Sequence, residues 1–193
     1  MYVHFFKRVI DFLVALCALP FFCVIYIVLA PFYFFMDRGP MFYSGKRLGQ
    51  YGKSFPMHKF RSMKVNAPDI RLKDGSTYNG DDDSRVTKLG RFIRKTSLDE
   101  IPQILNVLKG DMSLVGPRPA LPEEVALYGS LYSTRLLVKP GITGPWQISG
   151  RSDLTQKQSE YADVSYIQDW SITGDIAILL KTVVAVFKGT GSY

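Results

Sequence analysis

Two adjacent carboxylates, Asp99 and Glu100, lie in the stretch "TSLDEIPQ", behind the cationic "RVTKLGRFIRK" and ahead of the apolar "ILNVL". Proline is tolerated in a helix only within its first turn. Pro102 therefore predicts a helix that begins near Asp99 to Ile101 and runs through "QILNVLK" to a stop at Gly110. Both carboxylates would sit where free N–H groups and the positive end of the helix dipole favour negative charge. Capping the helix is one use of such a pair. The other is chemistry, because that position keeps a nucleophilic carboxylate ionised and attracts phosphate. Two neighbouring carboxylates also invite a division of labour, one attacking while the other holds a metal.

The surroundings favour anionic substrates. Arg94 and Lys95 stand just upstream of the pair, and Arg118 is framed by Pro117 and Pro119. Fixed φ angles on both sides would hold that guanidinium fork ready for bidentate contact with phosphate. Arg151 follows in "KPGITGPWQISGRSDLT", which reads as a Gly-rich loop, and "LPEEVALYGSLYSTRLLV" reads as a helix starting at Pro122. From Arg38 to Lys95 there are fourteen Lys or Arg against five Asp. Such a surface suits anionic lipid headgroups or phosphorylated substrates. Nucleic acid is not expected, since no zinc finger, aromatic RNA-binding box or recognition helix accompanies the charge. The acidic run Asp81, Asp82 and Asp83 reads as a solvated loop. The only cysteines are Cys17 and Cys23, and His4 and His58 are far apart, so a zinc site is not expected. Any metal must be held by Asp, Glu and phosphate oxygens, which favours Mg²⁺, with Mn²⁺ as the other choice.

The elements that must position these groups fall into two unlike parts. From Phe12 to Met36 no residue is charged, and the run is long enough to meet a membrane rather than be a cleaved leader. Pro20 lies well inside it and should break the helix there. Lys7 and Arg8 precede the run while Arg38, Lys46 and Arg47 follow it, so both flanks carry the positive residues that mark one side of a membrane. A hairpin entering and leaving through one leaflet satisfies both flanks better than a simple span, with Asp11 expected to pair with Lys7 or Arg8 at the interface. Downstream, "FYSGKRLGQYGKSFPMHKFRSM" reads as two short strands joined by a turn at Gly49 to Gly52, and "DIAILLKTVVAVFKG" as a helix for the core or the interface.

Five segments together, "FKRVIDF", "HKFRSM", "LGRFIRKTSLDEIPQILNVLKGDMSLVGPRP", "KPGITGPWQISGR" and "QDWSITGDIAILLKT", resemble the bacterial sugar transferases, the monotopic phosphoglycosyl transferases. The resemblance covers nearly the whole chain in order and is to the small form of the family. It implies an α+β, mainly helical membrane-associated domain with a Pro-broken re-entrant hairpin over residues 1–36, interfacial amphipathic helices and a small β element. A catalytic domain over 37–193 would face the cytoplasm on the inner membrane. The implied reaction moves a sugar-1-phosphate from a UDP-sugar to polyprenyl phosphate and releases UMP. Asp99 matches the family's nucleophile and Glu100 its metal-binding partner. Lys59, Arg94, Arg118, Arg151 and Asp175 fall on positions the family uses around the substrate, and Lys7, Arg8, Asp11 and Pro20 belong to the membrane anchor. The C-terminal segment looks more like the hexose enzymes than those acting on N-acetylated sugars, and a homodimer is allowed. The rival from another class, a membrane-tethered polyanion-binding module, requires Asp99→Asn to be tolerated and no UMP to appear.

Overall fold

The apolar run forms one helix. In the computed structural model, which describes residues 2–71, 78, 80, 82–125, 133–149 and 156–188, α1 spans Tyr2–Phe32 and passes into a π-helical turn over Tyr33–Asp37. The expected break at Pro20 does not interrupt it, for Pro20 and Pro31 both lie inside the helix. A proline removes one N–H and crowds one carbonyl, a local defect that a long helix absorbs when the turns on both sides are sound. Asp11, Ala15, Phe22, Leu29 and Tyr33 make one buried stripe at spacings of four and seven residues. Most of the remaining surface of α1 is apolar and exposed, with Phe5, Phe21 and Ile27 each about two-thirds open.

Polar bonds fasten α1 to the rest of the chain near both ends. Lys7 pairs with Asp175. Arg8 donates to the carbonyls of Val107 and Leu108, where a helix C-terminus leaves acceptors free. Asp11 does not pair with Lys7 or Arg8 as expected. It accepts from Ser113 Oγ at 2.7 Å and from the Leu114 N–H at 3.2 Å, because burial gives it two donors that would otherwise be unsatisfied. At the other end, Tyr33 donates to the Arg61 carbonyl at 2.5 Å, and Thr87 donates to Asp37 at 2.7 Å.

The hairpin expected after α1 is present. Strands β1 (Phe42–Leu48) and β2 (Ser54–Phe60) pair antiparallel from Phe42↔Phe60 to Leu48↔Ser54, and Tyr51 and Gly52 turn the chain with positive φ. Phe42 and Phe60 stack at 5.4 Å between ring centroids, and Phe22 of α1 stacks on Phe60 at 6.1 Å. Beneath them lies a core that includes Phe55, Met57, Ile93, Ile104, Val107 and Met112.

The segment read as a solvated acidic loop holds one buried lock instead. Asp83 is 2% exposed, and Arg85 grips its carboxylate with Nε and Nη2 while also donating to the carbonyls of Pro68 and Tyr78. Those bonds hold the Asp83 carboxyl below the usual range. Helix α2 (Lys88–Lys95) follows with Thr87 as N-cap, and α3 (Gln103–Lys109) ends at Gly110 in the left-handed region, as expected.

The "GITGPW" stretch read as loop is partly strand. Three-residue strands β3 (Ser113–Val115) and β4 (Gly141–Thr143) pair in parallel, and α4 (Pro145–Ile148) follows at once. A Cβ on Gly141 would stand 2.1 Å from the Gly116 N, so glycine here serves close backbone approach. Helices α5 (Gln156–Gln168) and α6 (Ile172–Lys188) complete the described chain. Of the helix read from Pro122, residues 122–125 are helical and 126–132 lie outside the described residues. The architecture is mixed and helix-rich, with a small β element and one long apolar N-terminal helix.

Candidate active site

Two turns of the backbone carry the chain to Asp99. Helix α2 stops after Lys95, and Ser97 turns the backbone with φ 56°, a left-handed conformation that costs a non-glycine residue about 1–2 kcal/mol. A single 3-10 turn, Leu98–Glu100, then precedes Pro102, the N-cap of α3. No side chain caps either that turn or α3. Asp99 and Glu100 lie in the first turn rather than at the N-cap position, and, against burial, a backbone N–H bond to the Asp99 carboxyl works to lower its pKa.

The turn points its two acids differently. Asp99 is buried at 8% exposure, whereas Glu100 is partly open. Burial pushes the Asp99 carboxyl up to about 6; Lys59 opposes the shift, Glu100 adds to it and Arg94 opposes it. The turn does not hold this carboxyl at its ordinary pKa, since desolvation raises it. A buried carboxylate near 6 is still mostly ionised at neutral pH, and it is a stronger base than an exposed one.

Two cations approach the pair. Phe55, Met57 and Lys59 are alternate residues of β2 on one face, so the strand that buries the first two directs Lys59 inward. Its ammonium bonds Glu100 Oε1 at 2.8 Å. Arg94 comes from the last turn of α2 and donates from Nε to Ser62 Oγ at 2.8 Å. Burial lowers the pKa of Arg94 while Asp99 raises it, leaving a cation poorly solvated and facing the acid. Ser62 and Ser97 were not picked out from sequence; hydroxyls that orient or turn a neighbour carry no motif of their own. Asn106 was missed too, although it is fully buried, accepts from the His58 N–H at 3.0 Å and donates to the Pro56 carbonyl at 2.8 Å.

The remaining expected site residues fall elsewhere or beyond view. Arg118 is exposed with its guanidinium 4.7 Å from the centre of the Trp146 ring. Asp175 is engaged by Lys7, by Tyr166 at 2.8 Å and by Trp170 at 3.1 Å, so its carboxylate braces α6 against α1 and α5. Arg151 lies outside the described residues. No three His, Cys, Asp or Glu side chains converge as a metal cage among the described residues. One partly open carboxylate, Glu100, suits Mg²⁺, which usually takes one or two carboxylates and completes its shell with waters and substrate phosphates.

The site is thus a buried acid near two cations, beside the middle of a long apolar helix. The chain belongs to the bacterial sugar transferase family, whose profile matches residues 2–189. It is 50% identical over 165 residues to galactosyl transferase CpsE of Streptococcus agalactiae, a match covering 81% of this chain and 36% of that protein. It is 45% identical over 168 residues to undecaprenyl-phosphate galactose phosphotransferase of Salmonella typhimurium, covering 81% of this chain and 35% of the relative. The exopolysaccharide production protein ExoY of Rhizobium meliloti is 40% identical over 199 residues, with 97% of this chain and 88% of ExoY covered. The chain thus spans about a third of the length of the first two relatives and nearly all of the third.

Proposed function

We propose that this protein transfers a sugar-1-phosphate from a UDP-sugar to polyprenyl phosphate, undecaprenyl phosphate in a bacterium, giving polyprenyl-diphosphate-sugar and UMP. The observation that carries the reading is Asp99, a buried carboxylate acted on by Lys59 and Arg94 and followed directly by Glu100. An Asp99 oxygen attacks the phosphorus bearing the sugar; the bond from that phosphorus to the bridging oxygen breaks, and UMP leaves with the electron pair. An oxygen of polyprenyl phosphate then attacks the same phosphorus, and the Asp99–phosphorus ester bond breaks to return the carboxylate. Two displacements spare the site from holding both anionic substrates at once.

Lys59 and Arg94 bind and orient the donor phosphates, and Arg118 and Arg151 complete the cationic set that the resemblance implies. Glu100 would hold Mg²⁺, or Mn²⁺, whose charge offsets that of the pyrophosphate and its leaving group. The donor is read as a hexose, in keeping with the two relatives named for galactose; an N-acetylated sugar is the second reading.

The membrane segment is taken to run to residue 36, with the catalytic body over 37–193 on the cytoplasmic face of the inner membrane. Support for a re-entrant rather than spanning course comes from the bonds near both ends of α1. Residues 7–11 and 33–37 reach polar partners in the same body, which a helix emerging on the far side of about 30 Å of hydrocarbon could not do. The deciding experiment incubates the protein in nanodiscs with Mg²⁺, undecaprenyl phosphate and a panel of UDP-sugars, and measures UMP. Release by wild type that disappears with Asp99→Asn and with EDTA supports the reading. Undiminished release from Asp99→Asn would remove Asp99 from the chemistry.

A further inference from the structure

A single exposed arginine rises from a buried loop. From Gly116 to Ala120 every residue is buried except Arg118. The backbone around it is tied down on both sides. The Gly116 N–H donates to the Thr143 carbonyl and the Gly141 N–H to the Pro117 carbonyl, each at 2.9 Å. The Leu48 N–H donates to the Ala120 carbonyl, also at 2.9 Å. Pro117 and Pro119 fix φ on either side of the arginine, so its Cα has little freedom left. The carbonyl of Arg118 itself accepts from Arg135 Nη2 at 3.3 Å.

Arg135 belongs to a 3-10 turn, Thr134–Leu137, and is held from α5. Its Nε lies 2.8 Å from Asp163 Oδ2, with the two side chains 6% and 0% exposed. Burial pushes the Asp163 carboxyl up to about 6 against the pull of Arg135. Stability does not account for so deep a pair, because apolar side chains of the same volume serve that end as well or better. Its use lies in what Arg135 touches, the Arg118 backbone. The guanidinium of Arg118 has a support of its own, the Trp146 ring, whose centre is 4.7 Å away. Gln147, the next residue of α4, lines one cavity with Ser97 and Glu100, which connects Arg118 to the candidate site.

We propose that Arg135, Asp163 and Trp146 are positioning residues that keep Arg118 aimed at a substrate phosphate, the ion pair holding its backbone and the indole its guanidinium. The inference rests on the transferase reading above and goes beyond it by naming residues that act through Arg118 rather than on the substrate. An arginine free to swing loses side-chain freedom when it takes up a phosphate. One already held loses less and meets the anion with its fork in place. The phosphate belongs either to the UDP-sugar or to the lipid acceptor, and the two half-reactions tell them apart.

The test uses the full chain in nanodiscs, with a UDP-sugar on which wild type releases UMP. UMP released in one turnover without acceptor reports the donor half-reaction, and its amplitude counts folded sites. Steady turnover against undecaprenyl phosphate reports the acceptor. Titrating each substrate gives a KM for each. Arg118→Ala should raise the KM of one of the two at least about tenfold, the worth of a hydrogen bond to a charged group. For that same substrate Arg135→Lys should raise KM about fivefold, since it keeps a charge beside Asp163 but loses the fork that reaches Arg118. Trp146→Leu should do likewise, and Trp146→Phe, which keeps an aromatic face, should recover most of the loss. In an Arg118→Ala background Arg135→Lys and Trp146→Leu should each change KM by less than about twofold, because residues acting through one group do not add.

A merely structural role reads differently. Arg135→Lys and Trp146→Leu would then lower Tm and burst amplitude equally with and without Arg118, and leave both KM values unchanged. That result overturns the proposal. KM effects that persist in the Arg118→Ala background overturn it too, as does an Arg118→Ala protein with wild-type KM for both substrates. Trp146→Leu strands no buried charge, so it carries the test if Arg135→Lys does not fold. Absence of any UMP from wild type would instead defeat the transferase reading, and this assignment with it.

Discussion

Asp99 is kept inside the protein at a cost that the chemistry explains. Its carboxyl is pushed up to about 6 chiefly by burial, and the proposed attack needs the ionised form. Donor half-reaction rates should therefore fall about tenfold per pH unit below about 6 and level off above 7. Lys59 lowers that pKa, so Lys59→Met should move the acid limb upward as well as weaken donor binding. A stopped-flow pH profile of UMP release reads both, and a limb left in place by Lys59→Met would show that this cation does not act on Asp99. Stability should respond with the opposite sense. The folded pKa lies above the unfolded value, so the contribution of Asp99 is fully present below about 4 and is lost as pH rises through about 6. Asp99→Asn removes that loss. It should raise Tm at pH 8, reflecting at most about 3 kcal/mol of stability, and confer about half of that at pH 5. Equal gains at both pH values in thermal denaturation would contradict the buried-charge account.

At the scale of elements, helix α2 must fit against the segment that orients its last arginine. A Cβ on Gly90 would stand 1.9 Å from the Ser62 carbonyl oxygen, and Ser62 Oγ is the group that fixes Arg94. Gly90→Ala should force α2 outward, lower stability by about 1–3 kcal/mol as overpacking does, and reduce the donor half-reaction together with it. Urea unfolding and UMP release, measured on the same sample, test the coupling; a stable variant with full activity would break it. The sequence made some elements plain because a local rule governs them. Gly110 stops α3, turn residues separate β1 from β2, and Pro102 fixes where α3 can start. Other features have no local signature. Strands of three residues in a parallel pair show no alternation, and Gly141 is there because Gly116 lies against it. Asp83 looked solvated among its acidic neighbours, yet a partner two residues away pulls it inside. Within the site, Pro102 and the cationic flank brought the carboxylate pair and Arg94 to attention, and motif resemblance brought Lys59. The turn at Ser97 and the bond from Arg94 to Ser62 depend on distances across elements that no spacing encodes.

At the scale of the whole molecule, the proposed reaction has to bring a water-soluble donor to a lipid acceptor. At about 1.5 Å per residue, the 31 residues of α1 extend roughly 46 Å along the helix, longer than a hydrocarbon core is thick. Yet Lys7, Arg8 and Asp11 bind the body near one end, and Tyr33 and Asp37 bind it at the other. Phe22 stacks on Phe60 between them. These three stations support the proposed re-entrant course over one in which the helix leaves the body to emerge across the membrane. On the re-entrant course proposed above it dips into the leaflet nearest the body, and the exposed faces bearing Phe5, Phe21, Ile27 and Phe35 meet lipid. A protease-cleavable tag placed before Tyr2 and a thiol introduced by Arg38→Cys in a background lacking Cys17 and Cys23 should thus be reached from one and the same side. Inside-out vesicles, in which the cytoplasmic face is open, should show both cleavage and labelling by an impermeant maleimide; right-side-out vesicles should show neither. Cleavage of the tag only in right-side-out vesicles would mean that α1 spans. The bonds of Asp11 to Ser113 and Leu114 would then have to be broken in the membrane, leaving a buried hydroxyl and N–H without partners at about 1–3 kcal/mol each.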